Sequence, residues 1–380
     1  MSQTQRELVA PSHITAIQPY IPGKPIDDLV REYGLDPASV VKLASNENPL
    51  GMPESARQAI GAALTGLGRY PDPGGYELKQ LIARKLNVPA NWITLGNGSN
   101  DILEMVGMAM LDHQSAAVYS QYSFVVYRLA TQARGARHIM VKARDYGHDL
   151  PAMLEAIDAS TKVVFIANPN NPTGTFLTKA SIEQFLHDVV ERHGHRVVVV
   201  LDEAYNEYLA PELRVDSVEL VRQFSNLVVS RSFSKAYGLA GLRVGYGLAQ
   251  PELTALLARV RQPFNVNTLA QAAAIAAFQD EQFLQETARI NAQGKDQLQS
   301  AFSALGLEFV PSYANFVLVR VGDAAEVNQA LLKLGVIVRP VAADGLPEWL
   351  RVSIGLPHEN ARFIDALKEV LGAQAGKDRQ

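Results

Sequence analysis

Between residues 92 and 248, seven short apolar runs alternate with stretches long enough for amphipathic helices, a rhythm that few folds accommodate. The runs lie at 92–96, 116–120, 138–141, 162–167, 196–202, 226–230 and 243–248. Several are apolar throughout, as in VVVVL at 197–201, so they need cover on both faces. The pattern predicts an α/β fold in which helices flank a largely parallel sheet of seven strands. Helices are expected at 99–111 and at 178–193, the second opened by Thr178 and stopped by Gly194. After about residue 267 the pattern changes to long helical stretches. Three further apolar runs follow, LEFVPSYANFVLVRV, VIVRPV and WLRVSIG, with helix-like segments at 323–334 and 357–371. These predict a smaller α+β domain. Prolines at 11, 19, 22, 25 and 37 mark the first 47 residues as an extended arm with one short helix. The expected division is therefore an arm at 1–47, a large domain at 48–270 and a small domain at 271–380.

A chain of 380 residues exceeds the usual size of one hydrophobic core, which agrees with two domains. The net charge of −4, with no cluster of Lys or Arg, argues against nucleic acid or an anionic membrane as partner. No apolar run approaches a membrane span, and the first residues show neither a signal nor a transit pattern, so a cytoplasmic location is expected. Cysteine is absent, which removes disulfides, thiolate catalysis and Cys-ligated zinc. The histidines are scattered. His193 and His195 flank an expected helix end without a carboxylate at ligand spacing, so no metal site is expected.

Ligands of open α/β sheets lie beyond the carboxyl ends of the strands, and four such junctions carry complementary polar groups. GNGSND at 96–101 leads into a helix, where small residues let backbone N–H groups approach an anion. NPNNPTG at 168–174 has two prolines to fix the turn and Asn171 to aim an amide. DEAY at 202–205 offers a carboxylate and a phenol. SRSFSKAYGLAGLR at 230–243 offers one lysine, three serines and Arg243 around glycines. A lysine attacks an aldehyde only when neutral, and a free pKa of about 10.4 leaves roughly one in a few thousand neutral at pH 7. Burial against Phe233 and Tyr237, with Arg243 nearby, would lower that value, while the serines and arginine would hold a phosphate. Each element alone also reads as ordinary architecture: a serine-rich loop, a strand-to-helix turn, a helix-capping Asp202, an Asn-Pro turn. Together they describe a ligand with a phosphate, an aldehyde, a ring wanting a carboxylate partner and a hydroxyl. Pyridoxal 5′-phosphate has these features.

The chain resembles the fold-type I pyridoxal-phosphate-dependent aminotransferases, and among them the histidinol-phosphate aminotransferases, over nearly its whole length. NPNNPTG, DEAY and SFSK carry the resemblance to the fold-type. The arm motif QPYIPGKPI at 18–26 and SYANF at 312–316 tilt it toward the histidinol-phosphate branch, joined by KLASNENP at 42–49, RYPD at 69–72 and RVSIG at 351–355. The resemblance implies a large domain with a mixed seven-stranded sheet, a smaller domain and a homodimer to whose contact the arm contributes. It implies that Lys235 attaches the cofactor and then carries the proton between substrate and cofactor carbons. Asp202 would pair with the pyridine nitrogen, which keeps the ring an electron sink. Asn171 and Tyr205 would hydrogen-bond the ring hydroxyl, and Tyr122 would stack on the ring. Ser99, Asn100, Ser232, Ser234 and Arg243 would hold the phosphate, with Tyr70 of the neighbouring subunit. For the substrates, histidinol phosphate and glutamate or 2-oxoglutarate in histidine biosynthesis, it implies Arg351 as the anion clamp. Arg339 would be a second cation and Tyr20 a cover for the imidazole; Arg339 also reads as an ordinary surface ion-pair residue.

Relatives acting on aromatic amino acids, or decarboxylating phosphorylated ones, would share most of these residues. From another class, a nicotinamide-dependent dehydrogenase could use GNGSND as its phosphate turn. Asp101 stands where a third glycine or alanine belongs, and the lysine segment is then left without a use. A non-catalytic regulator on this fold would need an appended module for which no residues remain. A P-loop fails because Gln18 occupies the place of the first glycine and Pro25 follows Lys24.

Overall fold

The computed structural model describes residues 10–20 and 22–377; the first nine residues of the expected arm, and Ile21 within its motif, lie outside the described residues. The seven apolar runs form one sheet, in the order Ile93–Gly96, Gly245–Leu248, Leu227–Ser232, Val198–Asp202, Thr161–Ala167, Ala116–Ser120 and Arg137–Val141. Six strands run the same way. Gly245–Leu248 is antiparallel to both its neighbours, so the sheet is mixed. A parallel return needs a crossover of a dozen or more residues, usually a helix. Between Ser232 and Gly245 the chain has only a 3-10 turn at Ala240–Leu242, and it doubles back instead.

Alternate residues of each strand serve opposite faces. Val198 and Val200 join the cluster built on the helices Ser99–Met110, Val125–Gln132 and Pro251–Val260. Val199 and Leu201 join the cluster on the other face, beneath the helices Tyr76–Leu86, Lys179–His193 and Thr268–Gln279. Each fully buried Val or Leu contributes about 1.5–3 kcal/mol, so burial on two faces holds this strand firmly. The helix at Lys179–His193 starts where expected: Thr178 Oγ1 accepts from the Ser181 N–H at 3.2 Å, and Gly194, at φ +64°, ends it. Thr268–Gln279 buries Ala270, Ala273, Ala274, Ala277 and Phe278 in the large core, so residue 270 falls inside a helix of that core.

The C-terminal part forms a four-stranded antiparallel sheet in the order Arg339–Val341, Leu346–Ser353, Phe316–Arg320, Phe309–Val310. Its core takes Leu298 and Phe302 from the helix Glu281–Ala304, and Phe363 and Leu367 from the closing helix Pro357–Lys377, which runs six residues past its expected end at 371. The arm carries the helix Ile26–Tyr33 and a four-residue turn of helix at Ser12–Thr15. Val41–Lys42 then pairs in parallel with Val336–Ile337, and Leu43 enters the small core. The arm thus crosses the cleft where the two cores meet.

Candidate active site

Sheet register sets one wall of that cleft. Ala167, Asp202 and Ser230 are successive partners across three strands, so NPNNPTG, DEAY and the lysine segment all leave the sheet at the same edge. Asp202 is buried. Tyr127 donates from its hydroxyl to Asp202 Oδ2 at 2.9 Å, and the Ala204 N–H donates to Oδ1 at 3.2 Å. Both bonds favour the ionised form, yet burial pushes the carboxyl up to about 6. A buried carboxylate in this position is stabilised by a cation, which the described protein residues in contact with it do not supply. Lys235 Nζ donates to the Ser45 carbonyl at 3.0 Å. Burial, and then the positive charge of Arg351, bring its ammonium down to about 8, which raises the neutral fraction at pH 7 by some two orders of magnitude over a free lysine.

The next wall is built for an anion. Ser232 Oγ accepts from the Ser234 N–H at 3.0 Å, and Ser234 Oγ accepts from Arg243 Nη1 at 3.1 Å. The helix Ser99–Met110 begins at Gly98, φ +86°, without a side-chain cap, so the positive end of its dipole is open. A Cβ on Gly98 would lie 2.3 Å from Arg243 Nη2, and one on Gly245 would lie 2.6 Å from the Ser99 nitrogen. Glycine at both positions lets the helix start, the arginine and the strand close to contact distance.

Arg351 forms the roof. It donates from Nη1 to Asn171 Oδ1 at 2.6 Å and from Nη2 to the Ala44 carbonyl at 2.8 Å, while its Nε is buried without a partner. Arg339 is its direct cross-strand partner. The Tyr20 ring covers Arg339 with 5.2 Å between guanidinium and ring centre, a cation–π contact.

Tyr20, Ser99, Asn100, Asn171, Asp202, Tyr205, Ser232, Ser234, Lys235, Arg243, Arg339 and Arg351 therefore line one cavity. Two expected residues do not. Tyr122 stacks on Tyr146 at 6.1 Å, and the lining aromatic is Phe124, two residues on. The stretch SQYSF offers two aromatics just past a strand, and the number of residues spent in the turn is not readable from it. Tyr70 is 81 % exposed and stacks on Phe264 at 4.5 Å, away from its own chain's cavity.

The chain matches the family model of aminotransferase class I and II over residues 38–367. It is 63% identical over 365 residues to histidinol-phosphate aminotransferase 1 of Cupriavidus pinatubonensis, covering 95% of this chain and 96% of that one. The chain belongs to the histidinol-phosphate aminotransferases. The solved histidinol-phosphate aminotransferase of Sinorhizobium meliloti, a complex with pyridoxal-5′-phosphate, superposes with a TM-score of 0.88 at 28% identity, covering 98% of this chain and all of that one. L-threonine-O-3-phosphate decarboxylase of Porphyromonas gingivalis superposes at 0.78 and 25% identity, over 88% of this chain and 100% of its own. The same scaffold therefore serves more than one reaction, and the residues of the cavity have to carry the distinction.

Sequence reasoning overlooked the residues that hold Asp202 and Tyr205. Tyr127, fully buried and stacked on Phe165 at 4.8 Å, pins Asp202. Asn46, at φ +54°, donates from Nδ2 to the Tyr205 hydroxyl at 2.9 Å. Ser353 Oγ accepts from the Asn46 N–H and donates to its Oδ1, and Asn315 Nδ2 donates to its carbonyl. Those three residues belong to LASNENP, RVSIG and SYANF, so motifs from distant parts of the chain converge on one phenol.

Proposed function

We propose that the chain transfers an amino group between L-histidinol phosphate and 2-oxoglutarate in histidine biosynthesis, using pyridoxal 5′-phosphate. The observation that carries the substrate assignment is the pair Arg339 and Arg351, side by side in strand register at the mouth of the cavity that holds Lys235. Directly opposed like charges weaken a strand pair, and two such guanidinium groups lining one cavity suit an anionic substrate group. A phosphate dianion meets both guanidinium groups, and a glutamate carboxylate meets Arg351 in the other half-reaction.

The cofactor fits the residues present. The carboxyl of Asp202, raised by burial and in want of a cation, suits a pyridinium N–H. The uncapped helix start at Ser99 and Asn100, with Ser232, Ser234 and Arg243, suits a phosphate. Once bound, this group supplies an electron sink for the electron pair left on the substrate carbon. Lys235, brought into a usable range, is the residue that would hold the cofactor covalently, and its amine, once free, would move the proton at the substrate carbon. Tyr205 and Asn171 would orient the ring hydroxyl, Phe124 would supply the stacking face expected from the sequence at Tyr122, and Tyr20 covers Arg339.

The exposed Tyr70, stacked outside its own cavity, supports a homodimer in which it reaches the partner's phosphate site. A cytoplasmic location is part of the same reading; among the described residues no helix is long and apolar enough to cross a membrane. Single-turnover rates with a panel of amine donors test the assignment: histidinol phosphate should convert the cofactor fastest at low concentration, and a faster phenylalanine would sink it. Arg351→Lys should slow both half-reactions roughly 10–100-fold, since a point charge cannot replace the planar fork. Loss confined to the glutamate half would refute the shared arginine.

A further inference from the structure

Outside the Lys235 cavity, and sharing Tyr20, Phe124, Asn171, Arg339 and Arg351 with it, lies an outer chamber that also takes in Arg128 and Asp344. Its charged side chains are three arginines, Arg128, Arg339 and Arg351, and one carboxylate. Asp344 ends the 3-10 turn Ala342–Asp344, on the connection between the two strands that carry Arg339 and Arg351, and Gly345 at φ +84° closes that turn. Arg351, Arg339 and Arg128 all act to keep its partly buried carboxyl ionised, against the upward push of burial. The Nη atoms of Arg351 bond Asn171 and Ala44 rather than Asp344, and each keeps a second hydrogen for a ligand.

A carboxylate beside an anion site repels the anion, and a donor on another part of the same ligand would offset that repulsion. Tyr20, Phe124, Val125 and Pro172 line the same chamber and offer aromatic and apolar surface to a ring. An aromatic ring bearing an N–H, attached a few bonds from a phosphate, would place the phosphate on the arginines and its N–H toward Asp344. A phenyl ring would meet the same surface and leave the carboxylate without a donor. We propose that Asp344 is a specificity-determining residue, the hydrogen-bond acceptor for the imidazole N–H of the substrate. The assignment rests on the proposed function and names the side-chain half of its substrate site.

The test compares wild type, Asp344→Asn and Asp344→Ala as cofactor-loaded enzymes. Three quantities are measured: kcat/KM for histidinol phosphate, kcat/KM for its phenyl analogue 2-amino-3-phenylpropyl phosphate, and the competitive Ki of inorganic phosphate. Asp344→Ala should lower the imidazole-to-phenyl ratio about tenfold or more, the scale of one hydrogen bond to a charged group, chiefly through KM. Asp344→Asn, which keeps an acceptor oxygen, should recover part of the ratio, and phosphate should bind as tightly or more tightly in both variants. Equal losses with both donors, an unchanged ratio, or a weakened phosphate Ki would each overturn the proposal. Failure of the underlying function would show separately, as a wild type that does not prefer phosphorylated donors; histidine against phenylalanine then makes the same comparison of rings.

Discussion

The cavity has an inner half, built on strand ends of the large sheet, and an outer half, built on the arm and a small-domain hairpin, and the two are held by different means. Asp202 closes a strand buried on both faces and hydrogen-bonded on both edges, with Tyr127 and Ala204 fixing its oxygens. Ser232 and Ser234 bracket the end of the neighbouring strand and are tied to each other and to Arg243. By contrast, Arg339 lies on a three-residue strand whose register shifts between Pro340 and Val341, and its neighbours are another arginine, an aromatic from the arm and the turn that bears Asp344. The inner half is prearranged by sheet register, which suits a chemical step that tolerates little displacement. The outer half is gathered from the arm, the small-domain hairpin and loops of the large domain and places three arginines beside one carboxylate, which suits recognition. Substitutions inside should therefore change rate, and those outside should change preference.

The largest expected effect is at Lys235. Lys235→Ala should reduce turnover roughly a thousandfold or more, since both attachment and proton transfer are lost, and borohydride should no longer fix cofactor to the protein. Residual turnover near wild type would break the division into halves at its centre.

Next is the pH dependence set by Asp202. Its carboxyl rises from 3.8 to about 6 on folding, so the folded chain holds this proton more tightly than the unfolded one. For the cofactor-free protein, stability from this group is present below pH 4 and is lost as pH climbs through 6, on the order of 2–3 kcal/mol in all. Lys235 has the opposite slope in a separate window: it falls from 10.5 to about 8, so stability from it is regained between pH 8 and 10.5. In thermal melts without cofactor, Asp202→Asn should gain on wild type between pH 4 and 7, and added cofactor should erase the difference. A gap independent of pH would mean that the buried carboxyl is not the cause.

The smallest effect separates two aromatics. Phe124→Ala should weaken cofactor binding about three- to tenfold, the worth of a ring stack, whereas Tyr122→Ala should leave it unchanged; equilibrium dialysis decides, and the reverse result would restore Tyr122 to the ring.

Much of this was legible in the residues. All seven large-domain strands lie where apolar runs predicted them, because strands covered on both faces must be apolar nearly throughout. Twelve of the fourteen expected site residues line one cavity; those that follow large-sheet strands do so because polar residues just past a strand end have little freedom in where they emerge. What no local pattern reveals has a common origin. That Phe124 and not Tyr122 lines the cavity depends on how many residues a turn consumes. The mixed sheet implied by the resemblance is present, but apolar runs alone do not reveal the antiparallel course of Gly245–Leu248, which depends on the absence of a crossover helix. Asn46, Ser353 and Asn315 act only through one another, across separations that no local pattern spans.

The order of elements alone thus determined the α/β architecture, the edge of the sheet at which chemistry takes place and the kinds of group present there, because burial and backbone pairing constrain which residues a strand can contain and where it must end. Only the tertiary structure decided which groups meet. It set Arg339 opposite Arg351, put Asp344 on the turn between their strands, brought the Tyr20 ring over a guanidinium more than 300 positions away and left Asp202 buried enough to want a cation. These are consequences of register, packing and dielectric environment, which arise only when distant segments are in contact.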